Sequence, residues 1–102
     1  MRYKLVKDNL EGFAGEARLY ELSEPVAYTD VEDEEERNGE TRYVVASAVI
    51  APFTGAETLV FPADKDGNIL SWLDIGGVRA LDHEAAMEDM VRRIENKEDE
   101  DE

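Results

Sequence analysis

Carboxylate and amide side chains alternate in the stretch Asp64–Asn68 (DKDGN), near the middle of the chain. Such side chains at alternate positions begin the calcium loop of an EF-hand, where their oxygens bind the ion. A loop in that register also needs glycine at position 69 and a bidentate glutamate at position 75, and both positions hold isoleucine. We therefore predict a tight turn, in which the aspartates accept backbone N–H groups and Gly67 takes a positive φ. A weak, adventitious cation site is the alternative.

The single histidine of the chain, His83, opens the segment HEAAM. Zinc proteases begin a helix in this way, but their second histidine would stand where this chain has Met87. The chain also has no cysteine, so thiolate metal sites, disulfides and a cysteine nucleophile are excluded. We predict no metal and no cofactor, and we place His83 in the first turn of a helix.

Motifs for other kinds of catalysis are missing from the sequence. The glycine pair of GFAG (residues 12–15) resembles an RNA-clamping loop, but Glu11 and Glu16 flank it with charge that opposes phosphate. No phosphate-cradling loop or serine-base arrangement occurs. With 26 acidic residues, carboxylate pairs arise by chance, and none stands out as an acid–base pair. We predict that the protein is not an enzyme; a small enzyme that uses carboxylates is the alternative.

Negative charge is concentrated in two runs of this 102-residue chain, whose net charge is −15. Residues 30–40 contain seven acids and one arginine, and residues 95–102 contain six acids and one lysine. We predict one domain over residues 1–94 with an acidic surface loop at 30–40, followed by a disordered acidic tail at 95–102. Such charge repels phosphates, so we expect no direct binding of nucleic acid, whereas a basic protein would be attracted. The alternative is that both runs only keep the protein in solution.

A candidate interaction surface follows from this charge and from the only tryptophan. We favour a place for Trp72 in the core beneath the helix; on the open face of the sheet it would be a binding anchor. The candidate residues are Asp30, Glu32, Asp33, Glu34, Glu35, Glu36 and Trp72.

Apolar alternation predicts strands over residues 16–22, 42–50, 58–63 and 69–75. Residues 42–50 (RYVVASAVI) are apolar or small at both alternating sets, which is typical of a central strand buried on both faces. The last three strands follow one another through short turns, so they form a meander. We expect Gly76–Gly77 to end the sheet.

A helix is predicted to begin near Asp82, which can cap its N-terminus, with Glu84 in the first turn. Its apolar stripe consists of Ala86, Met87, Met90, Val91 and Ile94. The expected fold is therefore α+β, with an antiparallel sheet of about four strands and one C-terminal helix packed on one face. An open edge of this sheet could pair with a second copy of the chain. No segment approaches about 20 consecutive apolar residues, so we expect a cytoplasmic protein that does not bind membranes.

Three segments carry a resemblance to known proteins: residues 7–22 (KDNLEGFAGEARLYEL), 43–72 (YVVASAVIAPFTGAETLVFPADKDGNILSW) and 80–87 (ALDHEAAM). Together they resemble a group of small, uncharacterised accessory proteins of actinobacteria-infecting phages, of the mycobacteriophage type. The acidic run at 30–40 departs from this resemblance, and we expect it to differ among relatives. The resemblance implies a phage accessory protein in the host bacterial cytoplasm, and it brings no activity and no functional residues.

Two functions are compatible with these features. The first is a protein-interaction module that binds an unidentified host or phage protein, for which a basic surface would be suited. The second is an acidic mimic of nucleic acid that inhibits a host DNA-binding or defence protein.

Overall fold

The computed structural model describes residues 1–53 and 55–100. It contains, in chain order, the strands β1 (Tyr3–Lys7), β2 (Glu16–Glu32), β3 (Glu35–Ala51), β4 (Gly55–Ala63) and β5 (Gly76–Val78) and the helix α1 (His83–Glu100). The strands form one antiparallel sheet in the order β1-β2-β3-β4-β5, so each strand pairs with its neighbours in the chain. The predicted α+β fold, an antiparallel meander with one C-terminal helix, is confirmed, with five strands where about four were expected.

The last strand lies where the sequence predicted the end of the sheet. Residues 69–75, predicted to be a strand, form only an isolated bridge between Ala63 and Ile69. The chain rejoins the sheet at Gly76 and Gly77, which pair with Val60 and Leu59. A Cβ on Gly76 would lie 2.6 Å from the Cβ of Met90, so only glycine fits between β4 and the helix. β5 forms because glycine allows the helix to approach closely, and a pattern of alternating apolar residues does not report such a contact.

The first strand, β1, was not anticipated because most of its side chains are exposed and show no apolar alternation. It is held at the sheet edge by contacts with distant residues. The Tyr3 hydroxyl donates a hydrogen bond to Glu88 Oε1 (2.6 Å), and the Tyr3 ring packs edge-to-face on Tyr20 with centroids 5.7 Å apart. Burial and the neighbouring carboxylate of Glu88 raise the pKa of Tyr3 well above its usual range.

The helix begins as predicted and ends later than predicted. Asp82 Oδ1 accepts a hydrogen bond from the Ala85 N–H (3.0 Å), which is the expected N-cap. The apolar stripe faces the sheet: Ala86, Met87, Met90 and Val91 are buried and Ile94 is partly buried. α1 continues to Glu100, so the disordered tail expected at 95–102 is helical over 95–100, while residues 101 and 102 lie outside the described residues. No glycine or proline interrupts the chain after Gly77, and glutamate and lysine favour helix.

Each face of the sheet carries an apolar cluster, and the helix covers one of the two faces. On the helix side the core contains Val44, Ala46 and Val60 together with the methionines of α1. On the opposite side Ala17, Leu19, Val45 and Ala63 form a second cluster, and Leu10, Phe13, Tyr43 and Ile69 pack against it. Residues 44–48 of β3 are therefore buried on both faces, as the sequence predicted, whereas Ile50 near the end of the predicted strand is 73% exposed.

Candidate interaction surface

The predicted acidic loop is a two-stranded β-ribbon. β1 pairs with β2 only as far as Leu22, and β4 pairs with β3 only from Tyr43 onward. β2 and β3 remain paired beyond these points, from Val26–Thr41 to Glu32–Glu35, after a bulge between Glu21 and Val26. We call residues 26–41 the acidic ribbon. The expectation of a loop at 30–40 was wrong. The β2–β3 ladder that begins at Glu16–Ala48 aligns the two strands, and this alignment continues the pairing through the charged segment.

A two-residue turn joins the two strands of the acidic ribbon. Asp33 and Glu34 both have positive φ, 51° and 67°, and Glu32 and Glu35 are the closing pair. Positive φ at both central positions defines a type I′ turn, whose twist matches that of the strands, although Asn-Gly is the preferred sequence. The ribbon thus holds two acidic residues in a backbone conformation that is costly for them.

The acids of the ribbon are distributed over both of its faces. Residues directly opposite each other share a face, so Asp30 and Arg37 lie beside Glu32 and Glu35, while Glu36 lies opposite Val31 on the other face. Residues 32–36 are exposed and Asp30 is half-buried. The four ion pairs formed by the described residues all lie elsewhere. The acids of the ribbon therefore form no ion pair with any described residue, although Arg37 lies opposite Asp30, and the acids at positions 32–36 are exposed to solvent.

Trp72 lies on the face of the sheet opposite the helix, so its favoured place in the core beneath the helix was wrong. The side chain is 65% exposed. Its ring meets Phe61 edge-to-face with centroids 5.2 Å apart, and it lies 6.3 Å from the Phe13 ring. These contacts hold the indole against the second cluster while leaving most of it open to solvent. The structure therefore agrees with the alternative, an aromatic side chain on the open face.

A hydrogen bond joins the segment of Trp72 to the base of the acidic ribbon. The buried Ser71 hydroxyl donates to the Thr29 carbonyl oxygen (2.7 Å) and accepts from the Leu73 N–H (3.2 Å). The half-exposed Leu73 lines a groove whose other wall is the ribbon around Ala27–Thr29 and Asn38. The candidate residues of the ribbon and Trp72 thus belong to neighbouring parts of one surface. Leu73, which was not among the candidates, lies between them and could have been suspected only from its place next to Trp72.

The calcium-like stretch is a turn, as predicted. Asp64 Oδ1 accepts from the N–H groups of Asp66 (2.9 Å) and Asn68 (3.0 Å), and Oδ2 accepts from the Asn68 side-chain amide (2.9 Å). Gly67 has φ 89°. The Asn68 side chain, and then the backbone N–H groups, hold the pKa of Asp64 below its usual value. Within the described residues, no group of three histidine, cysteine or acidic side chains is placed to hold a metal ion.

His83 and Glu21 both have partners within the fold, whereas the buried Arg18 Nε has none in the part of the chain that the structure describes. His83 is buried in the first turn of α1, and its Nε2 lies 2.9 Å from the Glu16 carbonyl oxygen. Glu21 binds Lys4 Nζ (3.1 Å) and accepts from the Tyr43 hydroxyl (3.2 Å). Lys4 first, and then Tyr43, lower the pKa of Glu21. This shift keeps the carboxylate ionised, whereas a general acid or base at neutral pH needs a pKa shifted toward 7.

Comparison with known proteins adds no relative. No family model, curated protein or solved structure matches this chain. In the described part of the chain, no helix is both long and apolar enough to cross a membrane.

Proposed function

We propose that this protein is a small, non-catalytic protein-interaction module whose acidic ribbon binds a basic surface of a host or phage protein. The observation that carries this proposal is the ordered pairing of the segment that holds Asp30–Glu36. A loop would lose its conformational freedom on binding, at about 1–2 kcal/mol per residue. A paired ribbon has lost most of that freedom already, so more of the electrostatic attraction contributes to affinity.

Trp72 supplies a second contact in this proposal. A charged surface directs the encounter of two proteins, but aromatic side chains in the centre of an interface account for much of the affinity. Trp72 is exposed, is supported from behind by Phe61 and Phe13, and is linked to the ribbon through Ser71. A partner that lies along the ribbon base would reach it.

The resemblance of three segments to accessory proteins of actinobacteria-infecting phages supports the cellular setting of the proposal. The protein would act in the cytoplasm of an actinobacterial host, and the absence of cysteine fits this reducing compartment. The partner would then be a cytoplasmic host protein or another phage protein.

Affinity capture from an actinobacterial lysate tests the proposal with two matched variants. The ribbon variant carries D30N, E32Q, D33N, E34Q, E35Q and E36Q. The tail variant neutralises the six acids of residues 95–102, so the change in net charge is identical. We expect the wild-type chain and the tail variant to retain one specific partner, with binding that weakens as salt increases, and the ribbon variant to lose it. Equal capture by both variants, or no specific partner, would contradict the proposal.

A second function, a mimic of nucleic acid, is favoured by the density of charge on the ribbon. From the Asp30–Arg37 pair to the turn the ribbon is about 10 Å long at 3.3 Å per residue. Six acids and one arginine over this length give one net negative charge per roughly 2 Å, close to the 1.7 Å of duplex DNA. Competition with duplex DNA distinguishes the two functions. Release of the captured partner by DNA favours the mimic, and a partner without affinity for DNA eliminates it.

A further inference from the structure

The outer edge of β3 within the acidic ribbon has no neighbouring strand. β4 pairs with β3 only between Tyr43 and Ala51, so the stretch Glu35–Thr41 has β2 on one side alone. A two-residue turn makes Glu32 and Glu35 a hydrogen-bonded pair. Because hydrogen-bonded and non-hydrogen-bonded pairs alternate, the backbone groups of residues 36, 38 and 40 point away from β2. No backbone hydrogen bond in the described part of the chain reaches these groups.

The opposite edge of the ribbon is different. On β2 the outward backbone groups belong to residues 27, 29 and 31, and the Thr29 carbonyl oxygen already accepts from the Ser71 hydroxyl. The segment that contains Ser71 and Leu73 therefore covers part of this edge. The edge of β3 is the freer of the two, and its residues 35–38 are exposed.

We propose that an extended, lysine- or arginine-rich segment of the partner adds as a strand to residues 36–40 of β3, continuing the line of β4. This inference rests on the proposed function and specifies how the partner is bound. Backbone hydrogen bonds to the free edge would supply affinity, and basic side chains opposite Glu35, Glu36 and Glu40 would supply specificity.

Charge determines which occupant fits this edge. A second copy of the chain would place acidic residues directly opposite acidic residues, and like charges across two strands are destabilising. Charged edges of this kind are a common means by which proteins prevent edge-to-edge association. The acidic edge therefore excludes a second copy and selects a basic strand.

Two proline variants of the full chain, N38P and T29P, test the mode of binding. Asn38 and Thr29 lie opposite each other, and both substitutions remove the hydrogen bond from Thr29 Oγ1 to Asn38 Oδ1. Both also remove an outward N–H and leave the β2–β3 ladder and the net charge unchanged. They block different edges of the ribbon; Thr29 is also half-buried and its carbonyl oxygen binds Ser71, so T29P is the harsher of the two for the fold. Amide spectra and circular dichroism verify that each variant is folded.

The probe is a synthetic peptide of alternating lysine and threonine, compared with the same peptide N-methylated at alternate backbone positions. We expect the unmodified peptide to protect the amides of residues 36, 38 and 40 from exchange, and not those of 27, 29 and 31. N38P should weaken its binding about tenfold, as expected for one lost hydrogen bond, while T29P should bind like the wild-type chain. The methylated peptide should bind at least about tenfold more weakly.

Three results would overturn strand addition. These are equal affinity for both peptides, equal effects of both proline variants, or a wild-type dimer that N38P dissociates, which would indicate pairing of two copies. Failure of the proposed function is recognised separately. If lysate capture depends on the ribbon acids but N38P and T29P capture the partner equally, the interaction module remains and only strand addition fails.

Discussion

At the scale of single residues, Asp64 shows how a pattern typical of metal binding can be satisfied by the chain itself. Its two carboxylate oxygens accept three hydrogen bonds from residues two and four positions later. These donors use three of the roughly four acceptor sites of the carboxylate. The alternation of acidic and amide side chains therefore fixes the turn after β4.

Asp64→Asn should lower the free energy of unfolding by about 1 kcal/mol near pH 7, because the amide replaces one acceptor by a donor. The pKa of Asp64 lies below its unfolded value of 3.8, so its contribution is present above that value and is lost as pH falls through the folded pKa. The difference between wild type and variant in urea unfolding should thus stay constant from pH 7 to about pH 5 and shrink as the pH falls below 3.8. Asp66→Asn is the matched control and should have little effect. A calcium titration that saturates the Trp72 fluorescence at micromolar metal would contradict the turn.

Trp72→Ala should cost about 1 kcal/mol of stability, the contribution of its aromatic contacts with Phe61 and Phe13. A tryptophan beneath the helix would cost about 3–5 kcal/mol instead. Met87→Ala, which truncates a fully buried side chain of the helix, is the reference and should cost about 2–5 kcal/mol. Urea unfolding measures all three proteins. A loss for Trp72→Ala as large as that for Met87→Ala would show that the indole is part of the core.

At the scale of elements, the acidic ribbon combines a strong ladder with an unfavourable tip. Thirteen residue pairs join β2 and β3, and the closing pair sets Glu32 opposite Glu35. Repulsion between such a pair costs only a few tenths of a kcal/mol to about 1 kcal/mol, and salt screens it. In the other twelve pairs no like charges lie opposite each other, so the rest of the ladder outweighs this cost, which is why charge density alone was a poor guide to structure here.

Replacing Asp33-Glu34 by Asn-Gly should make the ribbon more stable. The two residues have positive φ, which Asn and Gly adopt at lower cost. We expect amide exchange at residues 30, 32 and 35 to slow by about fivefold to tenfold, corresponding to roughly 1 kcal/mol. The variant D33N/E34Q is the control, because it removes the same charges without favouring positive φ as strongly. Equal slowing in both variants would attribute the effect to charge and not to the backbone.

At the scale of the whole molecule, the net charge of −15 has two effects. Repulsion among the acidic side chains destabilises the compact state, and the same charge would attract a basic partner. We expect the free energy of unfolding to increase with sodium chloride between about 10 and 300 mM, as the Debye length falls from about 30 Å to below 10 Å. The ribbon variant with six neutralised acids should show a smaller increase. Urea unfolding at several salt concentrations measures this, and an equal salt dependence of both proteins would contradict a destabilising role of the ribbon charges.

The sequence by itself determined the features whose causes lie within a few residues. The stripe from Ala86 to Ile94 predicts one buried face of a helix, Asp82 predicts its start, and the turn at Asp64 follows from side chains that bond their own backbone. The alternation in β3 predicts a strand buried on both faces because each alternating set is apolar or small.

Only the tertiary structure decided the features that depend on distant partners. Gly76 joins the sheet because Met90 packs against it, and Trp72 lies on the open face because residues 69–75 leave the sheet and cross toward the ribbon, where Ser71 binds Thr29. The ribbon itself exists because Val26–Glu32 meets Glu35–Thr41 in register. This pairing depends on both segments together, because the stability of the whole β2–β3 ladder must outweigh the charge repulsion near the turn. The composition of either segment alone therefore does not predict the pairing.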